Sequence, residues 1–340
     1  VTSKFDFDPV VPYVSGVPPA ARASSPMAGL PEPARRRVLL FGEALVDVLD
    51  GDPVPGGAPL NVAVHLASLG FSVVLVSRIG DDPDGELVRA VLKRAGISES
   101  GLQVDRDRPT ARSLVSLDGG VPRFTIPEEQ AFDFLEPGRA GAAARSFRPG
   151  AFCFGTLVQR SKRGRAALDA VLGSGNALRV VDLNLRPPWF QADTVAETVA
   201  RAHVLKVSEE EAFETVRLLG LPPVSGVADA AAQLSRWRGP RQVFVTRGGA
   251  GAIAFTSRKH REELLETPAS PLPSPLRDTV GAGDAFTAAV LAGAALDWPA
   301  RETLRLGSDL AAAVCGLTGP LPPDASFWRP FRATFAGGES

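Results

Sequence analysis

The chain has 340 residues, 44% hydrophobic and 22% charged, with a formal net charge of −1. This composition fits a soluble globular protein with a sizeable core, in one large domain or two smaller ones. It argues against a general nucleic-acid or membrane binder, which needs a positive excess; two cysteines and three scattered histidines exclude a disulfide framework and an obvious zinc site.

Taken in chain order, residues 1–37 read as a disordered arm. The first 34 residues carry seven prolines and no apolar core of a secretory signal. Asp6, Asp8 and Glu32 run against a transit peptide, and no apolar stretch is long enough to span a bilayer, so a cytoplasmic protein is expected. Arg35-Arg36-Arg37 reads as a solvated entry to the first strand. Cys153 and Cys315 sit in apolar runs and read as small core residues.

Val38-Leu39-Leu40-Phe41-Gly42 has the form of a buried strand ended by glycine. Asn61 to Leu69 has helical periodicity closed by Gly70, Val73 to Ile79 is a second apolar strand, and Asp84 to Ala95 is an amphipathic helix closed by Gly96. The alternation continues through Ala151–Phe154, Arg163–Leu172, Arg179–Leu183, Val195–Ala200, His203–Val207, Glu209–Leu218, Ala228–Arg236 and Gln242–Thr246. Such a pattern predicts βαβ units on a mostly parallel sheet with helices on both faces. Two stretches break it. Thr110 to Ile126 reads as a hairpin across Asp118-Gly119-Gly120, and Asp47 to Gly57 looks extended with Asp50-Gly51 as a turn. Together they predict a small β-lid over one edge of the sheet, although two plain surface hairpins would give the same pattern.

The chemistry concentrates in Asp278-Thr279-Val280-Gly281-Ala282-Gly283-Asp284-Ala285-Phe286. Two glycines permit a tight turn, and an Ala- and Leu-rich helix follows to about Ala295. The N–H groups of 282–284 are thus predicted at a helix N-terminus, where free donors and the helix dipole bind anions. Asp284 lies in the same turn. A phosphate cradle beside a carboxylate suits phosphoryl transfer, the carboxylate taking the proton of the attacking hydroxyl. The same string also suits an Asp that N-caps a core helix, with glycines for packing.

This string resembles the C-terminal signature of the PfkB, or ribokinase-like, carbohydrate kinases, and the resemblance runs from about Val38 to Arg332. Gly42-Glu43-Ala44-Leu45-Val46-Asp47 is similar to the family's first strand, and Gly56-Gly57-Ala58-Pro59-Leu60-Asn61 to its di-glycine segment. Arg78-Ile79-Gly80-Asp81 through Gly85 resembles its next loop. Asp182-Leu183-Asn184-Leu185-Arg186-Pro187-Pro188 is similar to the fructokinase form of the mid-chain motif, and Thr246-Arg247-Gly248-Gly249-Ala250-Gly251 to the nucleotide segment.

The resemblance implies a three-layer α/β/α fold over 38–335, a doubly wound, mostly parallel sheet with lid segments at about 47–57 and 110–127. It implies an ATP- and Mg²⁺-dependent sugar kinase of the fructokinase-like branch, with Asp284 as base and Gly281, Ala282 and Gly283 as anion hole. Asp47, Gly57, Asn61, Asn184 and Arg186 would bind sugar; Lys206, Thr246, Gly248 and Gly251 would bind ATP. Glu209 would act on Mg²⁺ indirectly, and Asp278, with the Gly316–Gly319 loop, would hold K⁺. Local chemistry leaves two alternatives open: Asn61 as a helix cap and Arg186 as a surface ion pair.

The chain departs from the family at Lys206-Val207-Ser208-Glu209, where Asn-x-x-Glu is common. Its lid segment Phe124 to Asp133 also lacks the usual aromatic–arginine pair. D-Fructose is the expected substrate. Ribose, 2-keto-3-deoxygluconate and a non-catalytic kinase-like scaffold are the alternatives, and a homodimer stays open. No Walker-type G-x-x-x-x-G-K-[ST], no protein-kinase set and no G-x-S-x-G is present.

Overall fold

The computed structural model describes residues 26–27, 29–49, 52–118, 121–258, 261–272 and 276–336. The strands are β1 (Arg37–Phe41), β2 (Leu45–Leu49), β3 (Asp52–Gly56), β4 (Ser72–Gly80), β5 (Leu102–Asp105), β6 (Ala111–Asp118), β7 (Val121–Thr125), β8 (Ala151–Phe154), β9 (Leu178–Asp182), β10 (Val204–Ser208), β11 (Gln242–Thr246), β12 (Ala252–Arg258) and β13 (Arg261–Thr267). The α-helices are α1 (Glu32–Arg35), α2 (Ala58–Ser68), α3 (Pro83–Arg94), α4 (Pro137–Phe147), α5 (Lys162–Leu172), α6 (Ala192–Arg201), α7 (Glu209–Leu218), α8 (Val227–Arg236), α9 (Ala282–Leu296), α10 (Ala300–Val314) and α11 (Arg329–Ala336).

Nine strands form one sheet in the order β13-β12-β11-β10-β9-β8-β1-β4-β5. From β11 to β5 every pairing is parallel; β12 and β13 add an antiparallel edge. Central strands such as β1 and β8 are apolar runs because both faces are covered. On one face, α2, α3, α9, α10 and α11 enclose a core with Leu40, Leu60, Leu75 and Phe286. On the other, α4 to α8 enclose Leu39, Phe41, Leu168, Val199 and Leu234. This is the expected α/β/α arrangement. Because the strands are parallel, the carboxyl ends of β1, β9, β10 and β11 meet at one edge, where open α/β sheets bind ligands.

The two excursions build one four-stranded sheet, β3-β2-β6-β7, separate from the main sheet. β2 pairs antiparallel with β3 and parallel with β6, and β6 pairs antiparallel with β7. The lid therefore unites segments far apart in sequence. Both predicted turns, at Asp50-Gly51 and Gly119-Gly120, lie outside the described residues.

Three features differ from expectation. The packed chain begins before Val38: Met27 is 1% exposed in the core, and Arg36 donates to the Phe335 carbonyl at 3.0 Å. Apolar side chains this far upstream find a place against the α9 face. Residues 1–25 lie outside the described residues. The β12–β13 hairpin goes unmarked in the sequence because β13 is an edge strand, exposed at most positions and rich in Arg and Glu. Cys153 is buried as expected, while Cys315 is only half-buried at the end of α10. Among the described residues no helix is long and apolar enough to cross a membrane.

Candidate active site

α9 is apolar on every side, and Ala285 through Gly293 are all buried. It is fixed in the core, and its first turn is held at the carboxyl edge of the sheet. Gly281 is its N-cap at φ 83°, a conformation glycine adopts without strain. A Cβ there would meet the Pro320 backbone at 2.7 Å. Ala282 N–H turns back to the Thr279 carbonyl at 3.3 Å. Among the described residues no carbonyl accepts from Gly283 or Asp284 N–H. The anion cradle is thus narrower than expected, two free donors rather than three.

Asp284 stands in this turn and does not cap the helix, for no side chain makes a capping bond at α9. Its Oδ2 instead accepts from Asn61 Nδ2 at 2.7 Å. Asn61 lies in the first turns of α2, whose N-cap is Gly57 at φ 99°, so Asn61 is not a cap either. Its Oδ1 is buried without a partner, a vacant acceptor suited to a ligand hydroxyl. Burial pushes the Asp284 carboxyl up to about 6; Asn61, Lys206 and Arg186 oppose the rise and Asp182 adds to it.

Beneath the cradle lies a buried pair that the sequence does not single out. Lys206 Nζ meets Asp182 Oδ1 at 3.2 Å and Oδ2 at 3.4 Å, both side chains 8% exposed. Thr287 Oγ donates to Asp182 Oδ2 at 2.6 Å and stands one turn beyond Gly283. A Cβ on Gly283 would lie 3.4 Å from Lys206 Nζ, so the ammonium sits just under the anion site. Burial alone pushes Lys206 down, but Asp182, Glu211 and Asp284 outweigh it and the net shift is upward. Lys206 therefore stays charged. Its place is under the cradle rather than out along the nucleotide segment.

On the other side stands the di-glycine turn. A Cβ on Gly56 would collide with the Asp47 carboxylate, and one on Gly57 would lie 2.9 Å from the Glu43 carbonyl. Asp47, on β2 of the lid, is half-buried and its carboxyl is raised by burial against the pull of Ser113 and Arg186. Asn184 adopts φ 46° and lines a pocket with Glu43, Asp182 and Thr287. Arg186 is exposed and, among the described residues, donates only to the adjacent Leu185 carbonyl, at 3.3 Å. Its charge still acts on Glu43, Asp47 and Asp284, so it overhangs the site rather than serving a surface ion pair. Glu211 holds this loop in place, accepting from Leu185 N–H at 2.6 Å and Ser208 N–H at 2.8 Å.

Thr246 ends β11, and its hydroxyl reaches the Val207 carbonyl at 3.5 Å. Gly248 and Gly251 have φ 52° and 87°. Nothing stands within 4 Å of a Cβ at Gly248 or Gly249, so this segment borders open space. Glu209 opens α7, half-exposed. Among the described residues no cluster of three His, Cys, Asp or Glu could hold a metal. A single half-exposed carboxylate such as Glu209 would meet a Mg²⁺ that arrives with phosphates and keeps its waters. Asp278 accepts from Val280 N–H at 2.9 Å and Gly319 N–H at 3.2 Å, tying the cradle loop to the loop after α10.

The sequence reading missed Glu43, Asp182, Thr287 and Glu211 as site residues. Asp182 had a usable signal, a carboxylate at the carboxyl end of a parallel strand.

A family model described as pfkB family carbohydrate kinase matches residues 36–325. The fructokinase of Klebsiella pneumoniae is 31% identical over 314 residues, which span 87% of this chain and 97% of that protein. The crystal structure of fructokinase with bound ATP from Xylella fastidiosa superposes with a TM-score of 0.72 at 25% identity, covering 84% of this chain and 94% of that one. Aminoimidazole riboside kinase from Salmonella enterica, complexed with aminoimidazole riboside and an ATP analog, gives a TM-score of 0.70 at 23% identity, over 87% and 99% of the two chains. That last likeness is one of fold.

Proposed function

The chain belongs to the pfkB family of carbohydrate kinases, and from that membership we propose that it transfers the γ-phosphoryl group of ATP to D-fructose, giving fructose 6-phosphate. The observation that carries the reaction is the α9 N-terminus. Two free N–H donors, a carboxylate poised near 6 and a buried ammonium converge there. Asn61 occupies Oδ2 of Asp284, which leaves Oδ1 to take the proton of the attacking hydroxyl. The Gly283 and Asp284 N–H groups, with Lys206 beneath, stabilise negative charge on the group in transfer.

Asp47 and the free Oδ1 of Asn61 bind sugar hydroxyls, and the Gly57 turn lets the sugar approach the backbone. Asn184 and Arg186 close the site from the β9 side. Thr246, Gly248 and Gly251 line the nucleotide. When bound, Mg²⁺ would neutralise phosphate charge, and Glu209 would act on it indirectly. K⁺ beside Asp278 would order the cradle loop, since that carboxylate already ties it to Gly319.

Fructose rests on the 31% identity to a fructokinase along nearly that protein's whole length. An ADP-release assay over fructose, ribose and 2-keto-3-deoxygluconate tests it, with fructose expected to have the highest kcat/KM. A tenfold preference for ribose would overturn the fructose assignment and leave the kinase standing.

A further inference from the structure

The lid has one junction with the body of the molecule that the steps above do not use. Both roots of the β6–β7 hairpin meet at the short turn Ala131–Phe134. Just before β6, the Pro109 carbonyl accepts from Ala131 N–H at 3.0 Å. Just after β7, the Ile126 and Pro127 carbonyls accept from Arg160 Nη1 and Nη2 at 3.0 and 2.5 Å. The same guanidinium grips Asp133 with two prongs, Nε to Oδ1 and Nη2 to Oδ2, each at 2.7 Å. The two side chains are 6% and 7% exposed. A planar fork serves two carbonyls and a carboxylate at once, which an ammonium of equal charge cannot do.

Arg160 is joined to the other side of the sugar site as well. It ends the turn Leu157–Arg160 after β8. That turn starts from Thr156, whose N–H and Oγ both donate to the Leu183 carbonyl, at 3.3 and 2.9 Å. Asn184 follows directly, and the Arg186 carbonyl accepts from Trp189 N–H at 2.7 Å. The loop then returns to its start: the Arg160 guanidinium lies over the Trp189 ring, 4.6 Å from the centroid, and over Phe132 at 4.7 Å. Arg160 thus holds the lid root with its donors and the Asn184–Arg186 loop with its face. We propose that Arg160 and Trp189 are positioning residues for sugar binding, which lock the lid hairpin against the loop that carries Asn184 and Arg186. Neither touches the sugar. The lid sheet passes the lock on, since β6 pairs with β2 and Asp47 lies opposite Ser113 in that pairing.

The inference deepens the kinase reading and rests on it for the first of two tests. KM for the best sugar, KM for ATP and kcat are measured for wild type, Arg160→Lys, Trp189→Leu, Trp189→Phe and the double variant Arg160→Lys/Trp189→Leu. Arg160→Lys keeps the charge beside Asp133 and loses the fork. Its KM for sugar should rise about tenfold, the worth of one charge-assisted hydrogen bond, with KM for ATP and kcat unchanged. Trp189→Leu should raise KM for sugar about threefold, and Trp189→Phe, which keeps a ring face, should restore it. The double variant should match Arg160→Lys alone, because the ring then has no guanidinium to hold. A loss shared equally by sugar and ATP, or carried by kcat alone, overturns the proposal, because a general weakening of the fold would give it. So does a double variant whose effect is the product of the two single ones.

Hydrogen exchange is the second measurement and needs no substrate. In Arg160→Lys the peptides of residues 110–127 should exchange faster than in wild type, while those of β1 and β11 keep their protection. Equal exchange at 110–127 overturns the proposal. If Arg160→Lys does not fold, Trp189→Leu carries both measurements. If wild type phosphorylates no sugar, the kinase reading fails and exchange still decides whether Arg160 fixes the lid.

Discussion

The wall formed by α2 and α9 and the lid sheet both contribute to the site, yet they are built in opposite ways. The wall is core: α2 is buried from Pro59 to Leu66, and α9 from Ala285 to Gly293. The lid is a separate open sheet whose strands pair with one another and not with the main sheet. It is fastened at a few places. Arg112 on β6 donates to Asp84 on α3 at 3.1 Å. Arg160 donates to the Ile126 carbonyl at 3.0 Å and to Asp133 at 2.7 Å, with Phe132 and Trp189 on its guanidinium. A group whose position must hold within tenths of an ångström belongs on the wall, and one that must admit and release a sugar belongs on the lid. The proposed base and anion cradle are on the first; Asp47 is on the second.

The sharpest test of that division is Asp284→Asn. It removes the proton acceptor and keeps the shape and the N–H cradle, so turnover should fall by about 10²–10⁴, while the thermal midpoint at neutral pH should not fall, because the buried carboxyl it replaces costs stability once ionised. In wild type the rate should decline as pH drops through about 6, because the raised carboxyl is then protonated and cannot accept. Near wild-type turnover in a folded variant would end the proposed mechanism.

Lys206→Met addresses the wall as structure. It strands Asp182 in a buried site, and loss of one partner of such a pair costs about 3–5 kcal/mol. Urea denaturation should show that loss; a cost under about 1 kcal/mol, the range of exposed pairs, would mean that the pair is hydrated.

Asp47→Ala addresses the lid. An unpaired sugar hydroxyl costs about 1–3 kcal/mol, which should appear in kcat/KM for the sugar while KM for ATP and stability hold. A matching loss for ATP would show that Asp47 serves the whole fold. Shortening the β6–β7 hairpin should raise sugar-independent ATP hydrolysis relative to transfer, because a lid that closes over the sugar would exclude water. Unchanged coupling in the shortened enzyme argues against closure. The smallest effect concerns the seam at Asp278. Replacing K⁺ by tetramethylammonium at equal ionic strength should slow the reaction, and equal rates would remove the cation from the site.

The parallel core was legible because strands covered on both faces are written as apolar runs, and Asp284 because helix start, glycines and carboxylate are contiguous. Asp47 and Asn61 became visible through the family resemblance. Glu43, Asp182, Thr287 and Glu211 were not, since their roles exist only where the ends of β1, β9 and β10 converge. Thr287 reads as one more residue of a buried helix until Asp182, 105 positions earlier, is set beside it. The β12–β13 hairpin stayed hidden for the opposite reason: an exposed edge needs no apolar signature.

The outer strands of the lid carry one further consequence. β3 contains Pro53 and Pro55, paired with Val48 and Val46, and β7 contains Pro122, paired with Leu117. Proline has no N–H, and within a strand it is tolerated where that group would point away from the neighbour. Each free margin therefore lacks donors that a passing strand would need. Edge-to-edge association, whether with another copy or with an unfolded chain, is discouraged at both of these margins.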